Sequence, residues 1–256
     1  MKISVIITAF NGAKYITKAV ESFIEQDYKN KELVIVDGIS TDGTHQIIEK
    51  YSRQFPDQIK WIKEKDRGIS NARNIALNHV TGDVIGFLGC DDFLHKDFFK
   101  EFFYYAAQNP NFDVAYFNSY CVGFSNSFLN SADIRFTKRN LIKHCPVGSG
   151  ESFYYRKKIF ESHQFNEKNR YSMDYEFNMA LISSEEKYLF FPINIAAVFN
   201  QDIGSNHSSA NAVKQRLETV AVQLKYANRL VEKARIIWRA KKLIFKNFSL
   251  FKQIDI

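Results

Sequence analysis

With 256 residues, 45% of them hydrophobic and 25% charged, the chain has the balance of an ordinary globular protein with one large core, which excludes disordered, fibrous and collagen-like classes. Its three cysteines, Cys90, Cys121 and Cys145, are odd in number and show no metal-ligand spacing, so neither a disulfide framework nor a zinc site is expected, and the thiols read as reduced and cytosolic. The net charge of +7 is unevenly placed: from Tyr226 onward eight Lys and Arg stand against two acids, and the rest of the chain is close to neutral, so attraction for anions is confined to the C-terminus.

The chain opens on MKISVIITAFNG, one early lysine and a short apolar run with no small-residue cleavage site after it. No stretch is long enough to span a bilayer, so neither a secretory leader nor a transmembrane segment is expected. ISVIITAF is β-branched and continuously apolar, the pattern of a strand covered on both faces. NGAKYITKAVESFIEQ then places Ile16, Val20, Phe23 and Ile24 on a helical stripe. ELVIVDG is a second buried strand, DGISTDGT a turn, THQIIEKYSRQF a second helix, IKWIKEK a short third strand, ISNARNIALNHV a third helix and DVIGFLG a fourth strand. Strand and helix alternating in this way predict βαβ crossovers and a largely parallel sheet, with the ligand crevice beyond the carboxyl ends of the strands. FNG, DGISTDG, KDRG and GCDD all fall there. Further on, DVAYFNSYCVGF is strand-like, residues 125–150 are rich in Ser, Asn and Gly, SFYYRKKIFESHQF opens a new segment and SMDYEFNMALIS reads as a helix. No proline or glycine follows Gly204, so Ala212 to about Phe248 can run as one or two uninterrupted helices.

Four stretches carry a resemblance: SVIITAFNGAKYITKAVESFIEQDYKNKELVIVDGISTDGT, DRGISNARNIAL, TGDVIGFLGCDD and, more weakly, GESFYYRKKIFESHQFNEKNRYSMDYEF. In this order, at the ends of these strands, they resemble a family 2 glycosyltransferase over about the first two hundred residues. The resemblance implies the glycosyltransferase A fold: α/β, Rossmann-like, a mainly parallel central sheet with helices on both faces, here followed by a C-terminal helical tail. It divides the chain into a catalytic domain, 1–210, with a nucleotide-sugar and metal-binding half (1–124) and an acceptor-side half (125–210), and a basic amphipathic helical tail, 211–256.

Thr8, Phe10 and Asn11 close the first strand and Asp37 the second. An aromatic edge and a carboxylate at adjacent strand ends can hold a nucleobase, the ring by packing and its imino N–H by a charge-assisted hydrogen bond; the resemblance puts uracil or a similar base there. As a bland alternative, Asp37 and Gly38 only make a turn. Asp66 and Arg73 belong to the same donor site by resemblance, Arg73 near the nucleotide and diphosphate, where its fork of donors suits phosphate oxygens. Adjacent Asp91 and Asp92 repel unless a positive partner sits beside them. By resemblance Asp91 contacts ribose or metal and Asp92 binds a divalent cation, Mn or Mg, that bridges the two phosphates, a hard ion suited to carboxylate and phosphate oxygens. The competing reading makes Asp92 the N-cap of the next helix. Gly38 and Gly89 stand where family members often carry acids. Asp174 occupies the place of the family's catalytic base, with an N-cap role as its alternative and Glu176 as a stand-in; by the same resemblance Glu151 faces the acceptor, while His207 reads first as an exposed loop histidine and only second as a ligand completing the metal shell.

The resulting expectation is an inverting, metal-dependent enzyme that moves a sugar from a nucleotide-diphosphate donor, a UDP-sugar first, to a hydroxyl of a glycan or lipid-linked glycan in polysaccharide biosynthesis of the cell envelope. A non-catalytic sugar-nucleotide binder is the main rival and has no need of Asp174. A sugar nucleotidyltransferase is the other, and the glycine-rich, basic triphosphate loop it needs is not seen. In the tail, Leu230, Val231, Ile237, Trp238, Leu243, Ile244, Phe245 and Phe248 interleave with basic residues. Such a helix suits an anionic membrane surface, with a homo-oligomer or partner helix as its alternative. A peripheral position on the inner face of the cell membrane is expected, and nucleic acid is not, since no base-reading or stacking module is visible.

Overall fold

The computed structural model describes residues 1–122, 128–130, 136–144, 152–193, 196–200 and 211–251. Its first half is the alternation expected from the apolar pattern: β1 (Ile3–Ala9), α1 (Ile16–Ile24), β2 (Lys31–Asp37), α2 (Thr44–Gln54), β3 (Ile59–Lys63), α3 (Ile69–Leu77) and β4 (Val84–Gly89). After a two-residue strand, β5 (Phe93–Leu94), come α4 (Phe98–Gln108), β6 (Val114–Tyr116), β7 (Ser119–Val122), β8 (Phe128–Asn130), α5 (Lys138–His144) and β9 (Phe153–Arg156). A 3-10 turn over Lys157–Glu161 leads to α6 (Met173–Ser183), β10 (Tyr188–Phe190), β11 (Ala197–Asn200), α7 (Ala212–Tyr226) and α8 (Leu230–Phe251).

Seven strands form the main sheet in the order β10-β6-β9-β4-β1-β2-β3. β9 alone runs antiparallel to its neighbours β4 and β6, and the other pairings are parallel. The period of two along each strand sends successive side chains to opposite faces. Ile3, Val5, Ile7, Leu33, Ile35, Val84 and Leu88 join the core under α1 and α4, while Ile6, Val34, Val36, Ile85 and Phe87 join the core under α3 and α6. Both faces being covered explains why these strands read as unbroken apolar runs. At Gly86 a Cβ would collide with the Tyr154 ring, so that glycine lets β9 lay a large aromatic across the middle of β4.

A second sheet, β5-β11-β7-β8, starts directly after the paired aspartates. The run DVAYFNSYCVGF is therefore not one strand. Phe117 N–H still bonds Ser152 beside β9, but the Asn118 carbonyl accepts from Ala196 at the head of β11. The backbone changes sheets between those two residues, a switch set by distant partners.

The expected C-terminal helices are two, separated at Ala227, whose backbone is extended. α7 is fastened to the body of the fold: Val222 packs with Leu141, Tyr175 and Met179, and the Glu218 carboxylate accepts the backbone N–H groups of Arg170, Tyr171 and Ser172 at 3.1, 2.7 and 3.1 Å. From α8, Ile236 is buried in the same cluster, while Leu230, Val231, Ile237 and Trp238 are exposed.

Candidate active site

β1 lies between β2 and β4; the chain leaves β1 for β2 and β3 on one side and crosses back to β4 on the other, a reversal of strand order that opens a crevice at the carboxyl ends of these strands. The register brings those ends together: Ala9 pairs with Asp37, Asp37 with Lys63, and Thr8 with Gly89. Thr8, Asp37, Asp66 and the turn after Gly89 thus share one edge.

The loops after β1 and β2 are stitched to each other. Backbone N–H groups of Asn11, Gly12 and Ala13 donate to Ser40 Oγ (2.9 Å), Thr44 Oγ1 (2.8 Å) and Asp42 Oδ2 (3.0 Å), and Asn11 Oδ1 accepts the Thr41 N–H at 2.9 Å. The Asn11 side chain, expected at the nucleotide, is thereby engaged in joining the loops. Asn11 and Ile39 both sit in the left-handed region, at φ 51° and 64°. For a β-branched residue this conformation costs about 1–2 kcal/mol, a strain typical of functional sites. The loop holds Ile39 (45% exposed) and Phe10 (65% exposed) as two bare apolar side chains at the crevice. No local pattern marks Ile39, because its signal is backbone geometry.

Asp37 is fully buried. Its Oδ1 accepts from Ser40 N–H (3.0 Å) and Oγ (2.6 Å), whereas Oδ2 is buried with no hydrogen-bond partner. A buried carboxylate oxygen without a donor is costly, and it is the acceptor a nucleobase imino group needs. Asp66 fills the space beside Gly38: a Cβ there would collide with Asp66 Oδ2 and lie 3.4 Å from the Phe10 ring, so the missing acid at 38 is matched by a carboxylate reaching in from the end of β3.

A similar exchange occurs at Gly89, where a Cβ would collide with Asp92 Oδ2 and stand 3.0 Å from Asp91 Oδ1. Glycine lets both carboxylates fold over the strand end toward one point. The capping alternative for Asp92 fails, because α4 begins only at Phe98, beyond β5, with Asp97 at its N-cap position. Two convergent carboxylates fit a hard divalent cation whose shell is completed by phosphate oxygens. Among the described residues they do not form part of a group of three potential ligands. Burial, Asp91 and Asp92 push the thiol of the preceding Cys90 up to about 12, so Cys90 stays neutral and backs the loop against Gly12.

On the other face of β4, Arg73 from α3 and Asp174 from the first turn of α6 meet in an ion pair between Arg73 NH1 and Asp174 Oδ1. Neither sequence motif announces the other, 101 residues away. Glu176, the stand-in base, faces elsewhere: it accepts from Asn166 (2.9 Å), Asn169 (3.0 Å) and Lys225 (2.8 Å). Burial pushes its carboxyl up, but Lys225 and the two amides outweigh that and hold it below the usual range. It ties α6 to α7. Glu167, which sequence reasoning missed, pins the DRGISN turn by accepting from Arg67 (2.6 Å) and Asn71 (2.9 Å). Glu151 and His207 lie outside the described residues.

Residues 4–164 match the family profile described as Glycosyl transferase family 2. The chain is 36% identical over 103 residues to the poly(ribitol-phosphate) beta-N-acetylglucosaminyltransferase TarS of Staphylococcus aureus, a match covering 40% of this chain and 18% of TarS. It spans less than half the length of the curated relatives it matches. The crystal structure of S. aureus TarS 1–349 in complex with UDP-GlcNAc superposes with a TM-score of 0.70 at 23% identity, covering 97% of this chain and 73% of that one. A mannosyltransferase from Pyrobaculum calidifontis, in complex with GDP-Man and Mn2+, gives 0.67 at 19% identity, with 93% and 69% covered. The fold is that of these enzymes, as the motifs implied.

Proposed function

Because the chain belongs to glycosyl transferase family 2, we propose that it moves a sugar, with inversion, from a UDP-sugar to a hydroxyl of a glycan or lipid-linked glycan, using Mn or Mg. One observation carries the reading: a buried, unpartnered Asp37 oxygen beside exposed Phe10 shares a sheet edge with the converging Asp91 and Asp92 carboxylates, which is the spacing of tasks a nucleotide diphosphate presents. Asp37 takes the imino N–H of uracil, Phe10 covers the base, and Thr8 and Asp66 line the same edge. Asp91 reaches ribose or the cation, and Asp92 the cation, which when bound neutralises the leaving diphosphate. Asp174 accepts the proton of the acceptor hydroxyl as that oxygen bonds to the anomeric carbon; the bond from that carbon to the diphosphate oxygen breaks and the nucleoside diphosphate leaves. A pure binder has no use for a carboxylate held in that position. Since TarS carries N-acetylglucosamine transfer in its name and UDP-GlcNAc in its structure, UDP-GlcNAc is the first donor to test.

Calorimetry with UDP and Mn2+ tests the base site. Asp37→Asn should weaken UDP binding roughly 10- to 100-fold, the worth of one hydrogen bond to a charged group, and unchanged affinity would remove the nucleotide from this edge.

The reading extends to an anionic membrane surface as partner. No helix among the described residues is long and apolar enough to cross a membrane, but α8 shows Leu230, Val231, Ile237 and Trp238 to solvent, with exposed Lys233, Arg235 and Lys241 between and beside them. Each basic side chain near acidic lipid contributes about 1 kcal/mol at modest salt. Deleting the residues after Tyr226, where α7 ends, should release the protein from acidic vesicles in co-sedimentation while UDP binding persists. Equal sedimentation of both chains would exclude the membrane, and loss of an oligomer on truncation would assign the face to a second copy.

A further inference from the structure

Asp174 is carried by α6, and the turn that leads into that helix is held from α7. The Glu218 carboxylate gathers three consecutive backbone N–H groups, those of Arg170, Tyr171 and Ser172, at 3.1, 2.7 and 3.1 Å. An anion suits this place, the N-terminal end of a helix, where backbone donors are left over and the dipole favours negative charge. Ser172 is the N-cap residue of α6, yet its side chain makes no capping bond. A serine there ordinarily turns its hydroxyl to the free N–H groups of its own helix. Here the hydroxyl crosses to α7 instead, to the Gln215 carbonyl at 3.0 Å and to Thr219 Oγ1 at 2.8 Å, and Gln215 Nε2 donates back to the Tyr171 carbonyl at 3.3 Å. The Ser172 carbonyl in turn accepts the Glu176 N–H at 2.9 Å, the bond that closes the first turn of α6 around Asp174.

The body of α6 is held by other means. Phe177 and Leu181 lie in the core against the sheet, and Tyr175 and Met179 lie in the cluster with Leu141 and Val222. Packing fixes the length of the helix, so the polar ties from Glu218, Gln215 and Thr219 act on its entry, immediately before Asp174. We infer that Glu218 is a positioning residue for the general base, and that α7 thereby belongs to the active site although the family match ends at residue 164, ahead of α6. The inference rests on the transfer reading above, in which Asp174 is that base.

A group that fixes the turn bearing the base acts on turnover and leaves nucleotide affinity alone, since the base's placement matters only when the proton moves. UDP affinity is measured by calorimetry with Mn2+, and turnover by release of UDP from UDP-GlcNAc, with water or a glycan as acceptor. Glu218→Ala, which leaves the three N–H groups to water, should lower kcat roughly 10-fold with UDP affinity within about twofold of wild type. Glu218→Gln, whose side-chain carbonyl still accepts, should recover most of that loss. Thr219→Val, which removes the hydroxyl facing Ser172 and keeps the shape, should lower kcat about threefold in the same way, and it serves if Glu218→Ala folds poorly. The decisive arm is the double variant: in an Asp174→Asn background, Glu218→Ala should cost nothing more, because its effect passes through the missing carboxylate. A brace of the fold alone gives another pattern, in which melting temperature falls with kcat unchanged, UDP affinity and kcat fall together, or the double variant shows the full additional loss. Any of these overturns the inference. Wild-type turnover in Asp174→Asn, or wild-type protein that binds UDP but turns over no donor, would defeat the transfer reading and the base with it, an outcome visible before any Glu218 variant is made.

Discussion

Asp92→Asn is expected to abolish cation-dependent turnover, by at least about 10³-fold, because a cation stabilising the departing diphosphate is worth several kcal/mol and each 1.36 kcal/mol is tenfold in rate. The fold should survive. Asp92 sits in a turn at the end of β4, where its N–H bonds the Gly89 carbonyl at 3.2 Å, and the substitution removes charge without core volume. With Mn2+ and UDP, wild type should gain melting temperature and the variant should gain much less. Placing an acid back at position 89 should not rescue it, because a Cβ there collides with the Asp92 carboxylate and displaces Asp91. Turnover near wild type in Asp92→Asn would sink the cation assignment.

The parts of this site that sequence could reveal are those written into consecutive residues. Runs such as ISVIITA and ELVIVD declare strands covered on both faces, and the residue that ends each run falls at the carboxyl edge, so the apolar pattern alone puts Asp37, Asp91 and Asp92 there. What local pattern cannot carry is the choice of distant partner. Arg73 and Asp174 were legible singly and illegible as a pair, because their meeting depends on α3 and α6 packing on the same face of β4. The absent acids at 38 and 89 look like losses until the space is seen to be filled, by Asp66 in one case and by the two neighbouring aspartates in the other. Ile39 is hidden for a different reason: strain belongs to φ, and an isoleucine after Asp-Gly reads as an ordinary turn residue. Glu176 shows the converse, an acid close in sequence to the expected base whose carboxylate is engaged by Lys225 and two asparagines.

Asp174→Asn separates the enzyme from the binder most directly, and turnover should fall roughly 10²–10⁴-fold, the usual worth of a positioned general base. Shape and hydrogen bonding to Arg73 largely survive the change, because the asparagine carbonyl can still accept from NH1 while the amide cannot take a proton. The lost charge leaves Arg73 enclosed by Phe87 and Phe165 without its counter-ion. Removing one partner of a fully buried pair costs about 3–5 kcal/mol, and less is expected here because the Asp174 side chain is 21% exposed and the rings still face the cation. The variant should therefore melt somewhat lower, bind UDP with Mn2+ as wild type does, and release UDP from UDP-GlcNAc hundreds of times more slowly. Affinity and rate separate because Asp37, whose hydrogen-bond partner is Ser40, and Phe10 belong to the ends of β2 and β1 and not to the Arg73–Asp174 pair. If UDP affinity collapses instead, Asp174 is a donor ligand or a structural group. The search for a base then passes to Glu151, since the ties from Lys225, Asn166 and Asn169 withhold Glu176 from any acceptor.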